Sequence, residues 1–284
     1  MEVKKYKKEA EYSYTLGAFP TLELVQAMPE RVVEILVHSS FTDRELIEGK
    51  CREAYEAGRM KHCRDTKPGQ GDDGLLPIRQ DDKTIGKLAD KENVYVVGVF
   101  EKYTCELKAD TPHLVLVNPS NMGNLGTIMR TACGFGYNDI AIIEPAADIF
   151  NPKTVRASMG SLFRIRHEMF ASFEAYLAKF TSDRAGIKAD AAGVAKPTDD
   201  AVSKEPKDIY RKFYPFMLDG SCRLQEAPKP SDGRFSLIFG NEATGLPHEF
   251  AGYGCPVRIE QTEFVDSLNL TIAAGIGMYA FKEN

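Results

Sequence analysis

The chain has 284 residues, 43% of them apolar and 27% charged, with a formal net charge of −5. That suffices for one large or two ordinary domains, and the acidic balance weighs against a broadly basic nucleic-acid binder while leaving room for a local basic patch. No apolar run approaches the roughly 20 residues of a membrane helix, and the N-terminus "MEVKKYKKEAEYSY" has lysines without the apolar run of a signal peptide.

Residues 1–110 read as a small α/β domain. In "TLELVQAMPERVVEILVHSSF" the apolar positions Leu22, Leu24, Val25 and Met28, then Val32, Val33, Ile35, Leu36 and Val37, predict a helix running into a short strand. "DRELIEGKCREAYEAGRM" sets Leu46, Cys51, Tyr55 and Met60 at near-helical spacing under a charged outer face. "RDTKPGQGDDGLLPIRQDDKT" (64–84), rich in Gly, Pro and Asp, reads as a loop, and "NVYVVGVFEKY" as a buried strand.

From residue 111 a second part begins and runs to 284. "PHLVLVNPS" is an apolar strand. A helix over 125–134 follows, with Leu125, Ile128, Met129, Ala132 and Cys133 on one face and Asn124 placed to cap it. "DIAIIEP" is the next strand, so the unit is βαβ and implies a parallel sheet. Residues 181–207, poor in large apolar side chains, read as a flexible insertion. "FYPFMLDG" resumes order, 235–239 is a strand, and "CPVRIEQTEFVDSLNLTIAAGIGMYAF" gives a short strand, a polar turn and an apolar C-terminal helix. Ser267 is favoured over Asn269 as that helix's N-cap.

The six cysteines form no CxxC pair and the five histidines are dispersed, which argues against a metal site or disulfide framework and fits a reducing cytoplasm. Chemistry concentrates instead in three loops: "NPSNMGNLGTIMR", "FGNEATGLP" and "RIEQTEFVDSLNL". In parallel α/β sheets ligands gather beyond the carboxyl ends of strands, so the three can meet at one site. No Cys–His or Ser–His–Asp set is legible, which suggests a site that positions groups rather than attacking with its own side chain. "GNLG" lacks GxGxxG spacing, so a nicotinamide site is disfavoured.

Taken together, Asn124-Leu-Gly126-Thr-Ile-Met-Arg130-Thr-Ala132, Phe239-Gly240-Asn241-Glu242-Ala-Thr-Gly245-Leu and Ser267-Leu268-Asn269-Leu-Thr271-Ile-Ala-Ala-Gly275-Ile resemble the three motifs of the SpoU (TrmH) family of RNA ribose methyltransferases, over roughly 112–280. "VRASMGSLFRI" (155–165) fits the family too, and residues 1–110 are loosely similar to its substrate-binding domain. The resemblance implies an α/β fold whose parallel sheet ends in a deep C-terminal trefoil knot, transfer of a methyl group from S-adenosylmethionine to a ribose 2′-hydroxyl of rRNA or tRNA, and a homodimer with sites at the subunit contact.

Residue by residue, it implies cofactor contacts at Phe239, Gly240, Asn241, Gly245, Ile259 and Leu268, and catalytic roles for Asn124, Arg130, Glu242, Ser267 and Asn269. Arg130 would meet the RNA. A guanidinium with a pKa above about 12 is a poor base, so phosphate contact and orientation is its physical role. Glu242 is read either as a local acceptor for the Gly245 or Leu246 amides or as an organiser of Asn124 or Arg130. Two positions depart from the family pattern: Glu260 stands where a proline usually follows Ile259, and no glycine precedes Ser267-Leu268-Asn269. Lys4, Lys5, Lys7, Lys8, Arg52, Arg59, Lys61 and Arg64 are the candidate RNA-facing cations. The alternatives are a non-catalytic RNA-binding protein retaining the fold and a nucleotide-binding α/β enzyme sharing only the glycine loops.

Overall fold

The computed structural model describes residues 3–60, 76–89, 93–181, 211–230 and 232–282. The insertion expected at 181–207 lies outside the described residues from 182 onward, as do Lys61, Cys63 and Arg64. The elements run β1 (Tyr12–Tyr14), α1 (Ala18–Ala27), β2 (Val32–Val37), α2 (Arg44–Glu56), β3 (Ile78–Gln80), α3 (Asp82–Leu88), β4 (Val96–Glu101), β5 (His113–Val117) and α4 (Met122–Phe135). They continue with β6 (Asp139–Ile143), α5 (Pro152–Ala157), β7 (Arg166–Phe170), α6 (Phe173–Thr181), β8 (Lys212–Pro215), β9 (Cys222–Arg223), β10 (Phe235–Phe239), β11 (Val257–Arg258) and α7 (Leu270–Phe281). Contacts gather the chain into two units that interleave in sequence: Met1–Thr104 with Met122–Cys133 and Asp148–Ile165, and Cys105–Asn121 with Gly134–Ala147 and Arg166–Asn284.

The first unit holds a four-stranded sheet ordered β1-β4-β2-β3, antiparallel except for the β2–β3 pair. Helix α1 lies on β2 and β4. The approach is close: Thr15 and Thr21 share a hydroxyl bond of 2.6 Å, and the Gly98 amide donates to Thr15 Oγ1 at 2.8 Å. Helix α2 buries Ile47, Cys51 and Ala54, not the face expected from Leu46, which is 51% exposed. At 100° per residue Ile47 lies 40° from Cys51 around the helix and Leu46 140° away, so only one of them can share its stripe. The expected loop at 64–84 also ends early. From residue 78 the chain forms β3 and then α3, whose N-cap Asp81 accepts the Thr84 amide at 2.9 Å.

Most of α4 belongs to this unit and begins at Met122, so Asn124 sits within its first turn rather than capping it. Its buried face, Leu125, Gly126, Ile128, Met129 and Ala132, follows the expected stripe, while Cys133 is only part-buried. Gly126 has a packing cause: a Cβ there would come 2.5 Å from the Thr154 carbonyl and 2.6 Å from Ala157 Cβ. No side chain fits between α4 and α5.

The second unit is an all-parallel five-stranded sheet in the order β7-β6-β5-β10-β8, the α/β architecture expected from the βαβ pattern. Strands β5, β6 and β10 are buried throughout, as strands covered on both faces must be. Phe170, Phe173, Tyr176, Phe213 and Phe250 fill the core beside α6, and α7 packs on β10.

The amino ends of these strands carry a polar network invisible in the sequence. Arg211, 2% exposed, donates to the carbonyls of Phe235, Ala109 and Thr111 and to Ser236 Oγ. Asp139 accepts from Arg166, from the Lys108 amide at 3.0 Å and from Thr111 Oγ1 at 2.7 Å. Burial and then the Arg211 charge push His113 down to about 3, so it stays neutral. Arg211, Asp139 and both ring nitrogens of His113 are engaged inside the fold, which marks this end of the sheet as structural.

Candidate active site

The opposite, carboxyl ends of β8 and β10 open into a cavity of about 410 Å³, inside the ~300–1,000 Å³ usual for small-molecule sites. Its walls are the chain after β8 (Phe216–Asp219), the end of β10 and its loop (Phe239–Leu246), and Val257, Ile259, Gln261, Ser267, Leu268, Leu270 and Ala273. Of the expected site residues, Phe239, Gly240, Asn241, Glu242, Gly245, Ile259, Ser267 and Leu268 line it. Asn124, Arg130 and Asn269 are not among the lining residues. Asn124 and Arg130 lie on α4, where Arg130 is exposed.

The β10 loop is folded tightly on itself. Asn241 and Gly245 exchange backbone hydrogen bonds, 2.9 Å from the Gly245 amide and 3.3 Å in return, with Gly245 at φ 67°. A Cβ on Gly240 would come closer than 3.0 Å to the backbone of Gly245 and Leu246. That is why the motif carries glycine at the start of the loop and at its left-handed end. Asn241 closes the turn by accepting the Ala243 amide at 2.8 Å, and its Nδ2 donates to the Asn118 carbonyl at 2.7 Å.

Glu242 reaches farther than expected. Its carboxylate accepts from the Ser120 amide at 3.0 Å, Ser120 Oγ at 2.8 Å and the Asn121 amide at 3.1 Å. The Gly245 amide goes to Asn241 instead, so the local acceptor role expected for Glu242 toward it is replaced by a clamp on the loop between β5 and α4. Burial pushes the Glu242 carboxyl up, but these donors outweigh it and hold the group below the usual carboxylate range.

Beyond β11 the chain turns through Gln261, whose Nε2 donates to the carbonyls of Val265 and Asp266 at 3.4 and 3.2 Å, and enters α7. The N-cap of α7 is Asn269, not Ser267: Asn269 Oδ1 accepts the Thr271 amide at 2.8 Å and Thr271 Oγ1 at 2.5 Å. The helix starts at Leu270, too late for Ser267 to reach its first amides, so Ser267 faces the cavity. Glu260, one of the two departures, pairs with Arg223 at 3.2 Å.

Two features escaped the sequence reading. "FMLDG" was legible only as resumed order, yet Phe216–Asp219 form a full wall of the cavity. Ser120 gave no signal because its partner is 122 residues away. The lining residues include two ionisable side chains, Asp219 and Glu242, both acids, with no lysine or arginine. Among the described residues no group of His, Cys, Asp and Glu could hold a metal ion, and no helix is long and apolar enough to cross a membrane.

Fold and cavity define the class: an α/β protein with a parallel sheet and a cavity of small-molecule size at the carboxyl ends of its strands. The chain belongs to the SpoU rRNA Methylase family, whose profile matches residues 111–279. It is 27% identical over 169 residues to the 23S rRNA (guanosine(2553)-2′-O)-methyltransferase RlmP of Bacillus subtilis, covering 56% of this chain and 53% of that protein. It is 40% identical over 200 residues to the mitochondrial rRNA methyltransferase 3 of Xenopus laevis, covering 60% of this chain and 47% of that one. The match thus spans about half the length of these curated relatives. Among solved structures, an AdoMet-bound rRNA methyltransferase from Sinorhizobium meliloti superposes with a TM-score of 0.67 at 25% identity, over 95% of this chain and 87% of that one.

Proposed function

We propose that the protein transfers a methyl group from S-adenosylmethionine to a ribose 2′-hydroxyl of rRNA or tRNA. The observation that carries this is the cavity itself: it stands at the strand ends where the family's second and third motifs lie, and the ionisable side chains among its lining residues are acids alone. S-adenosylmethionine, with its sulfonium, fits such a wall better than ATP or a dinucleotide. When bound, it supplies an activated methyl group and a neutral thioether leaving group, and no metal is required.

The roles assigned to the chain's own residues follow. Gly240, Ile259 and Leu268 hold the adenosine part, with Phe239, Asn241 and Gly245 completing the pocket. The folded 241–245 loop offers main-chain groups at close range because Gly240 leaves room for the Gly245 and Leu246 backbone and Gly245 takes the left-handed φ of 67° that closes the turn. Glu242 fixes the 118–121 loop through the Ser120 and Asn121 amides. Arg130, exposed on α4, orients the RNA phosphate and ribose through its bidentate guanidinium. Ser267 faces the reacting groups, while Asn269, its Oδ1 engaged by the cap, has its Nδ2 to donate.

Residues 111–284 form the methyltransferase domain in this account, and 1–110 the RNA-binding domain. A C-terminal trefoil knot is part of this reading and rests on the family membership; the segments after β8 and around β11 that it would involve pair in parallel. The Met217 amide donates to Val257, Cys222 to Pro256 and Leu224 to Arg258, with β9 and β11 parallel. A homodimer is supported by an apolar stripe on α7, where Ile272, Ile276 and Tyr279 are exposed at helical spacing. Free Cys51, Cys105, Cys133, Cys222 and Cys255 fit a reducing cytoplasm. No observation favours the non-catalytic alternative.

The test is calorimetric titration of S-adenosylmethionine into the wild type and Leu268→Trp. Binding that the bulky side chain weakens supports the assignment. A folded wild type that binds ATP or NAD in preference refutes it.

A further inference from the structure

The two acids of the cavity are not equivalent. Glu242 is held by three donors from Ser120 and Asn121. Asp219, on the wall that follows β8, has its side chain 65% exposed, with His248 Nδ1 3.5 Å from its carboxylate. His248 is itself 88% exposed, so that contact is weakly held and easily displaced. Asp219 is therefore the carboxylate of the wall available to a ligand. No cation from the lining residues offsets it.

We propose that Asp219 is a specificity-determining residue that reads the charge of the cofactor, resting on the reading of this cavity as the S-adenosylmethionine site. Methyl transfer moves CH₃ from sulfur to the ribose oxygen. The C–S bond breaks with its electron pair staying on sulfur, a C–O bond forms, and the 2′-hydroxyl proton leaves to solvent. The cofactor's net charge thereby falls from +1 in S-adenosylmethionine to zero in S-adenosylhomocysteine, while its adenosine, ammonium and carboxylate are unchanged. Adenosine contacts through Gly240, Ile259 and Leu268 hold both forms alike. A carboxylate at the rim attracts only the charged form in excess. Asp219 thus favours loading of the methyl donor and release of the spent product. A unit-charge contact at about 4 Å in a water-like dielectric corresponds to about a 5-fold preference.

The experiment titrates S-adenosylmethionine and S-adenosylhomocysteine separately into wild type, Asp219→Asn and Asp219→Glu, each checked for fold by its thermal transition. The expected result is that Asp219→Asn weakens S-adenosylmethionine about 5-fold and leaves S-adenosylhomocysteine unchanged, with Asp219→Glu restoring most of the ratio. Equal weakening of both ligands would make Asp219 an adenosine or structural contact and overturn the proposal. So would an unchanged ratio with neither ligand affected. If the wild type binds neither ligand, the cofactor-site reading fails and this inference falls with it.

Discussion

Gly240→Ala is the sharpest perturbation the structure offers. The added Cβ would stand closer than 3.0 Å to backbone atoms of Gly245 and Leu246, which cannot rotate away as a side chain would. Overpacking of this kind costs about 1–3 kcal/mol. Strand β10 is buried throughout, whereas Ala243, Thr244 and Gly245 are exposed, so the loop yields and the strand does not. In the free protein the loop swings outward and most of the strain is relieved. The cost then reappears on binding, where the loop must return. At about 2 kcal/mol this is roughly a 30-fold weaker Kd for S-adenosylmethionine. The thermal midpoint should fall by less than about 4 °C. Gly252→Ala is the control, because nothing stands within 4 Å of its added Cβ. Calorimetry and differential scanning fluorimetry on both variants decide the matter. A Gly240→Ala protein that binds S-adenosylmethionine within about 2-fold of the wild type would refute the claim that this loop holds the cofactor.

Arg130→Ala should lower methyl transfer at least about 100-fold while leaving the Kd for S-adenosylmethionine unchanged, and Arg130→Lys should recover only part of it because the bidentate fork is lost; single-turnover transfer of a tritiated methyl group measures both. Asn269→Ala should cost about 1 kcal/mol of stability by uncapping α7, and Ser267→Ala close to none, a difference readable by urea denaturation. Stability should also fall in mild acid. Burial holds His113 at about 3 and His167 at about 4, both below the ordinary value, so the unfolded chain takes up protons that the folded chain refuses. Their contribution is complete above about pH 6.5 and is lost as pH falls toward 4 and then 3; at pH 5 it is smaller by about 2 kcal/mol for each. Denaturation midpoints at pH 7 and 5 check it, and a double His113→Asn, His167→Asn variant should show a flatter profile over that window.

The strands of the second unit were legible because their apolar runs are short, dense and bounded by turn residues, and 235–239 falls on its strand to the residue. The same is true of the glycine loop after it, where the motif's spacing is dictated by a backbone turn that only glycine permits. Local ambiguity defeated the finer readings. Leu46 and Ile47 are equally apolar, and the burial of one over the other is settled by what α2 packs against. Ser267 and Asn269 are both good caps, and the choice depends on where the chain leaves the cavity wall. The β3–α3 segment was masked by its Gly- and Asp-rich approach. What lies across long sequence separations left no trace at all: the Ser120–Glu242 clamp, the carbonyl cage around Arg211, and the wall formed by Phe216–Asp219.

The measurement that bears most directly on the central claim is transfer from methyl-tritiated S-adenosylmethionine to unmodified ribosomal and transfer RNA, followed by alkaline hydrolysis. A 2′-O-methyl group removes the internal nucleophile that alkali needs, so label on the ribose survives in alkali-stable dinucleotides. The account predicts the label there, dependent on Arg130 and weakened in Gly240→Ala. Label recovered in mononucleotides, which would place the methyl group on a base, would contradict it, as would a folded protein that binds S-adenosylmethionine and transfers nothing to either RNA.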